Sequence, residues 1–148
     1  MKVTMSTLDR SKLASLLEAE EQLFHKNHPK SYGLYQRARK SLHGGVPMLW
    51  MIRWAGSFPV FVKEAQGAHF TDVDGNAYID FCLGDTGAMT GHAPPPTVDA
   101  INEQMQKGIT LMLPYEDVIS VGEELQRRFS LPYWQFTLTA TDANRFAL

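Results

Sequence analysis

The stretch TDVDGNAYIDF, Thr71 to Phe81, constrains the fold most, because it sets an Asp-Gly pair between two runs rich in aromatic and β-branched residues. Carboxylates at Asp72, Asp74 and Asp80 around Gly75 also raise the alternative of a calcium loop. Such a loop needs a glycine at its sixth position and a bidentate Glu at its twelfth. A start at Asp72 puts Ala77 and Leu83 in those slots; a start at Phe70 restores the glycine, loses the first ligand and ends on Phe81. The hairpin agrees with both flanks. Gly75 accepts positive φ at little cost, Asp74 can hydrogen-bond locally, and Asp-Gly is a strong two-residue hairpin signal. The sequence therefore predicts a β-hairpin turning across 72–78 and no metal site.

At 148 residues, 44% hydrophobic and 20% charged, the chain has the size of one ordinary domain with a core. A formal net charge of -2 leaves no electrostatic footprint for nucleic acid or an anionic membrane. No apolar run is long enough to span a bilayer, and MKVTMSTLDR lacks the apolar stretch of a signal peptide, so a cytoplasmic protein is expected. Cys82 is the single cysteine, which excludes an internal disulfide and a multi-cysteine zinc site. Its expected place is buried packing inside the hairpin strand.

Three segments follow one another. Residues 1–45 read as helical: LDRSKLASLLEAEEQLFHKN carries Leu13, Leu16, Leu17 and Phe24 near helical spacing, Pro29 stops it, and SYGLYQRARKSL ends at Gly44-Gly45. Residues 46–92 read as a loop, a strand around VFVKEA and the hairpin, forming a small antiparallel sheet, and then the glycine-punctuated loop CLGDTGAMTGHAPPP. Residues 93–148 hold a helix entered through Pro94–Pro96, with Val98, Ile101 and Met105 on one face, and a second helix from Tyr115 to Phe129. YWQFTLTA then reads as a buried strand and TDANRFAL as the first turns of a helix.

The junction FTLTATDAN, Phe136 to Asn144, is where chemistry fits best. A strand feeding a small-residue turn and a helix start presents free N–H groups and the positive end of the macrodipole, a ready anion site. Thr139, Ala140 and Thr141 are small enough to admit a phosphate. The plainer alternative is that Thr141 caps the helix, with Asp142 in its first turn. His25 and His28 lie three apart on the first helix with no third ligand, which suits a solvated face. Met48, Met51 and the nearby tryptophans suit packing, or the wall of a hydrophobic substrate pocket.

LYQRARKSLHGGV, VFVKEAQGAHFTDVDGNAYIDF, GHAPPPTVDAI and FTLTATDANRFAL occur in this order, and together they resemble the amino-terminal part of class III pyridoxal-phosphate aminotransferases. The resemblance is strongest to the glutamate-1-semialdehyde aminomutase branch and its β-amino-acid aminotransferase relatives, and covers residues from about 31 to 148. It implies an α/β protein of the type I pyridoxal-phosphate transferase fold. This portion is α+β, with amino-terminal helices, a small antiparallel sheet and the start of the large α/β domain. The family's phosphate element Ser-Gly-Thr-Glu-Ala matches Thr139, Ala140, Thr141, Asp142 and Ala143, so Thr139, Ala140 and Thr141 are the implied binders of pyridoxal 5'-phosphate. Thr141 retains the hydroxyl. Ala140 stands in the glycine slot and strains the turn by about 1 kcal/mol if that slot needs positive φ. The branch also uses an arginine after the Gly-Gly-Val equivalent to hold a substrate carboxylate; Arg53 lies a few residues from that place and Trp50 nearer to it. Asp85 stands where relatives carry an aromatic near the substrate, as a selector of an amine or hydroxyl or as a loop cap. His92, in GHAPPP, is implied to orient the loop before the helix.

Pyridoxal-phosphate transamination needs a Schiff-base lysine and an acid paired with the pyridinium nitrogen. In this fold both follow the phosphate loop, whereas Lys2, Lys12, Lys26, Lys30, Lys40, Lys63 and Lys107 all precede it. No catalytic residue is therefore assigned here. The chain reads as the first third of an aminotransferase, homodimeric when intact and using a small-molecule amino donor with a keto acid or semialdehyde. The alternatives are a glutamate-1-semialdehyde-type 2,1-aminomutase and a non-catalytic remnant serving association. Independently, the lone apolar strand WQFTL needs neighbouring strands, so the isolated polypeptide is expected to be poorly stable or to associate through that edge.

Overall fold

The computed structural model describes residues 8–53 and 56–148. They divide into two compact units, Met1–Asp99 and Ala100–Leu148.

In the first unit, Asp9 starts the chain's first helix by accepting the N–H groups of Ser11 and Lys12, each at 3.0 Å. This helix, α1, runs Arg10–Asn27. Pro29 both ends it and begins α2, Pro29–Ala38, because its fixed φ suits a first helical position and its missing N–H is not needed there. Two short 3-10 turns follow, His43–Gly45 and Leu49–Arg53. Strands β1, Val62–Gln66, β2, His69–Asp72, and β3, Ala77–Ile79, then form an antiparallel sheet in that order.

The hairpin falls where the Asp-Gly pair places it, with Thr71 opposite Ala77. Its loop is one residue longer than a two-residue turn. Asp72 N–H donates to the Asn76 carbonyl at 3.0 Å, enclosing Val73, Asp74 and Gly75, and of these only Gly75, at φ 97°, is left-handed. Asp74 does not serve its own turn. Its two carboxylate oxygens accept the N–H groups of Lys30 (2.6 Å) and Ser31 (2.9 Å), capping α2 from across the fold.

Beside that cap lies a buried polar cluster. Asp72 is 0% exposed and accepts from Asp74 N–H, Asn76 N–H, the Asn76 amide and the Tyr78 hydroxyl. The Tyr78 oxygen is also 2.6 Å from His28 Nε2, while His28 Nδ1 meets the Phe24 carbonyl at 2.7 Å. His28 therefore does not lie on the expected solvated face; it is 7% exposed and joins α1 to the hairpin. Phe58 fills the adjoining space, its ring 4.7 Å from Phe24, 5.0 Å from His25 and 5.2 Å from Tyr32.

Burial, and then the hydrogen bond to and charge of Asp72, push the Tyr78 phenol up to about 12 from its ordinary value of 10.0. The folded value exceeds the unfolded one, so Tyr78's contribution to stability is complete below pH 10 and lost as pH rises through 12. In an absorbance titration of the five tyrosines, one phenolate should appear last, and Tyr78→Phe should remove that phase. Ionisation of all the tyrosines in a single step near their ordinary value would refute this.

Cys82 is exposed and lies beyond β3, not inside a buried strand. Asp80 accounts for this: one of its carboxylate oxygens accepts Cys82 N–H (2.8 Å) and Leu83 N–H (3.0 Å), turning the chain out of the sheet.

Helix α3, Pro95–Met105, crosses from the first unit into the second, which also contains α4, Asp117–Phe129, and α5, Ala140–Ala147. α4 ends on Ser130 in the left-handed conformation, whose N–H returns to the Gln126 carbonyl. The expected strand in YWQFTLTA is not formed. Between α4 and α5 the chain has no ladder partner among the described residues, and an isolated segment cannot satisfy a strand's backbone groups. Among the described residues no helix is long and apolar enough to cross a membrane.

Candidate functional site

The first unit carries an open cleft of about 800 Å³ lined by Met48, Trp50, Met51, Cys82, Gly84 and Asp85. One wall comes from the 3-10 turn Leu49–Arg53 and the methionine before it; the other comes from the loop after β3. Trp50 and Met51 also line a neighbouring hollow of about 430 Å³, walled further by Leu42, Val46, Pro59 and Phe61. Volumes of this size suit small-molecule ligands.

The loop wall has an unusual backbone. Leu83, Gly84, Asp85 and Thr86 have φ of 54°, 57°, 53° and 76°, four successive left-handed residues of which one is glycine. Each non-glycine residue held there costs about 1–2 kcal/mol, least for an Asp. Local bonds hold the run: Ala88 N–H to the Leu83 carbonyl at 2.8 Å and Asp85 N–H to the Cys82 carbonyl at 3.0 Å. Backbone of this kind persists only where its surroundings over-determine it, and it concentrates at ligand sites.

His92 anchors the far end of the loop. Its Nε2 lies 2.6 Å from Asp80 Oδ2, and its backbone pairs with Gly67 through bonds of 2.8 and 2.9 Å. The hydrogen bond from His92, followed by the Leu83 and Cys82 N–H groups, outweighs desolvation and holds the Asp80 carboxyl below its ordinary value. His92 thus orients the loop, as the resemblance implied. Asp80, Cys82 and Gly84 were missed as contributors to the site. Asp80 carried one legible signal, a carboxylate two and three residues ahead of free N–H groups at a strand end.

Of the three expected substrate-binding residues, the fold brings Trp50 and Asp85 into one cleft. Arg53 is exposed at the end of its 3-10 turn and lines neither cavity. In the second unit, α5 begins at the expected junction, but its cap is Thr139 and not Thr141. Thr139 is extended (φ -138°, ψ 151°), and its Oγ1 accepts Asp142 N–H and donates to the Asp142 carboxylate, both at 3.0 Å. Thr141 lies two residues past the cap, inside the first turn of the helix. Ala140 lies in the helix and not at positive φ, so the strain expected of an alanine there is absent.

Ala140 and Thr141 N–H groups and the Thr141 hydroxyl have no partner among the described residues, and all are exposed. Two open N–H groups, a free hydroxyl, small side chains and the positive end of α5 fit the phosphate of pyridoxal 5'-phosphate. Among the described residues no group of three or more His, Cys, Asp or Glu is placed to hold a metal ion.

The aminotransferase class-III family model matches residues 50–148. Glutamate-1-semialdehyde 2,1-aminomutases from Methanocella arvoryzae and Methanococcoides burtonii are 35% and 36% identical over 78% and 80% of this chain, which spans 27% and 28% of their lengths. The crystal structure of a glutamate-1-semialdehyde aminomutase from Pseudomonas aeruginosa is similar at 52% identity and a TM-score of 0.88, over 95% of this chain and 31% of that one. A β-phenylalanine aminotransferase from Variovorax paradoxus is similar at 27% identity and a TM-score of 0.83, over 90% of this chain and 31% of that one. Matched by sequence and by fold across its cleft and the start of α5, the chain belongs to the class III aminotransferase family, of the type I fold, whose cofactor is pyridoxal 5'-phosphate.

Proposed function

We propose that this chain supplies the phosphate-binding helix start and part of the substrate pocket of an aminotransferase acting on an amino acid or amine. The start of α5 carries the reading: Thr139 caps the helix and leaves the Ala140 and Thr141 N–H groups and the Thr141 hydroxyl open. The N–H groups and hydroxyl would donate to phosphate oxygens, with the macrodipole adding to the attraction. When bound, the cofactor supplies an electron sink for the substrate's α-carbon. Trp50 and Asp85 shape the substrate cleft, while the lysines of this chain all precede α5 and none is assigned the covalent role. A homodimer is part of this reading, supported by the exposed leucines Leu13, Leu16 and Leu17 on α1. A second reading, internal amino transfer, is favoured by the 52% identity with a protein named as an aminomutase.

Pyridoxine 5'-phosphate tests the phosphate site because it has no aldehyde to react with lysines. By calorimetry it should bind this chain more tightly than pyridoxine, and Thr141→Val should weaken it about tenfold, the worth of one hydrogen bond to a charged group. Equal binding of the two vitamers, or no effect of Thr141→Val, would return the α5 start to plain capping and favour a non-catalytic associating protein.

A further inference from the structure

Among the described residues that line the first-unit cleft, one is charged. Asp85 is that charge, and its carboxylate has no hydrogen-bond or ion-pair partner among the described residues. The other lining residues are two methionines, a tryptophan, a cysteine and a glycine, with no Lys, Arg or His among them. Among the described residues, none that lines the adjoining hollow beyond Trp50 and Met51 is charged. A substrate carboxylate placed here would meet a like charge at exposed Asp85 and no cationic side chain to offset it, since Arg53 lines neither cavity. An ammonium on a methylene chain meets the opposite conditions: a free carboxylate, an indole whose face attracts cations, and soft apolar walls for the chain.

We infer that this cleft takes the far end of an amine substrate that carries a second ammonium group on an apolar chain, with Asp85 receiving the charge. The inference rests on the aminotransferase reading and names the substrate class of its pocket. It separates this chain from an enzyme whose substrate is held there by a carboxylate. The left-handed run 83–86 presets the Asp85 backbone, so the carboxylate needs little ordering when the cation arrives.

Cys82 is the single cysteine, is exposed and lines the same cleft, so it reports occupancy without any cofactor. The probes are 1,5-diaminopentane and glutarate, five-carbon chains of opposite charge, added at matched ionic strength while iodoacetamide alkylates the 148-residue chain. The diamine should slow alkylation of Cys82 and glutarate should leave it unchanged. Asp85→Asn should raise the diamine concentration for half-protection by about three- to fivefold, the worth of an exposed ion pair. Asn tolerates the left-handed backbone at 85, and the comparison of the two probes needs no variant. Protection by glutarate equal to or greater than that by the diamine, no protection by either, or an unchanged half-protection in Asp85→Asn would overturn the inference. Pyridoxine 5'-phosphate binding, measured on the same sample, reports separately on the cofactor reading.

Discussion

Replacing Asp72 by alanine should lower the unfolding free energy by about 3–5 kcal/mol, the cost of removing one member of a buried charged network. Asp72 is 0% exposed, and four donors converge on it: Asp74 N–H (2.9 Å), Asn76 N–H (2.8 Å), the Asn76 amide (2.9 Å) and the Tyr78 hydroxyl (3.0 Å). His28 Nε2 lies 3.5 Å away. Alanine would leave those groups in a site that water does not reach. The same cluster sets an acid limb. Burial alone would raise the Asp72 carboxyl, but the donors from Asn76, Tyr78 and Asp74 outweigh it and hold the value below the ordinary 3.8. The unfolded chain therefore binds the proton more readily, so the contribution is complete well above pH 3.8 and is lost as pH falls through the folded value. Urea unfolding at neutral pH and along an acid series measures both effects. A loss under about 1 kcal/mol, no more than an ordinary surface change, or an acid limb in Asp72→Asn parallel to that of the unsubstituted chain, would show that the network is not the keystone described.

Gly91→Ala should be the most damaging glycine change in the loop that carries Asp85, at about 2–3 kcal/mol. Gly91 has φ +92°, and a Cβ there would lie 3.1 Å from Gly67 Cα and 3.3 Å from the Gly67 carbonyl atoms. These are backbone atoms already tied to His92 by paired hydrogen bonds, so they cannot move aside without breaking the bridge. Gly67→Ala is the control. Its φ is +56° with nothing within 4 Å of the added Cβ, so it should cost about 1 kcal/mol, the left-handed penalty alone. Thermal unfolding of the two variants, with amide exchange across the 80–91 loop, checks the difference. Equal losses would mean that the Gly67–His92 bridge does not hold the loop.

Local chemistry explains which elements were legible in the sequence. The hairpin was, because a glycine that accepts positive φ and two strand-forming flanks act over a few residues. Pro29 marked a helix boundary for the same reason. The start of α5 was legible as well, although the capping role belongs to Thr139; a Thr three residues ahead of Asp142 is a local pattern that admits either threonine until the backbone shows which one is extended. WQFTL, by contrast, carries strand composition without a strand, because a ladder needs a neighbour that composition does not supply.

By itself, the sequence determined the hairpin, the helical segments and the motifs by which the chain resembles its family. Only the tertiary structure decided that Asp74 caps α2 and not its own turn, that His28 is buried, and that Trp50 shares a cleft with Asp85 while Arg53 does not. Each of these depends on residues distant in sequence meeting in space. A side chain's partner across the fold is set by the packing of whole elements, which the spacing of residues along the chain does not encode locally.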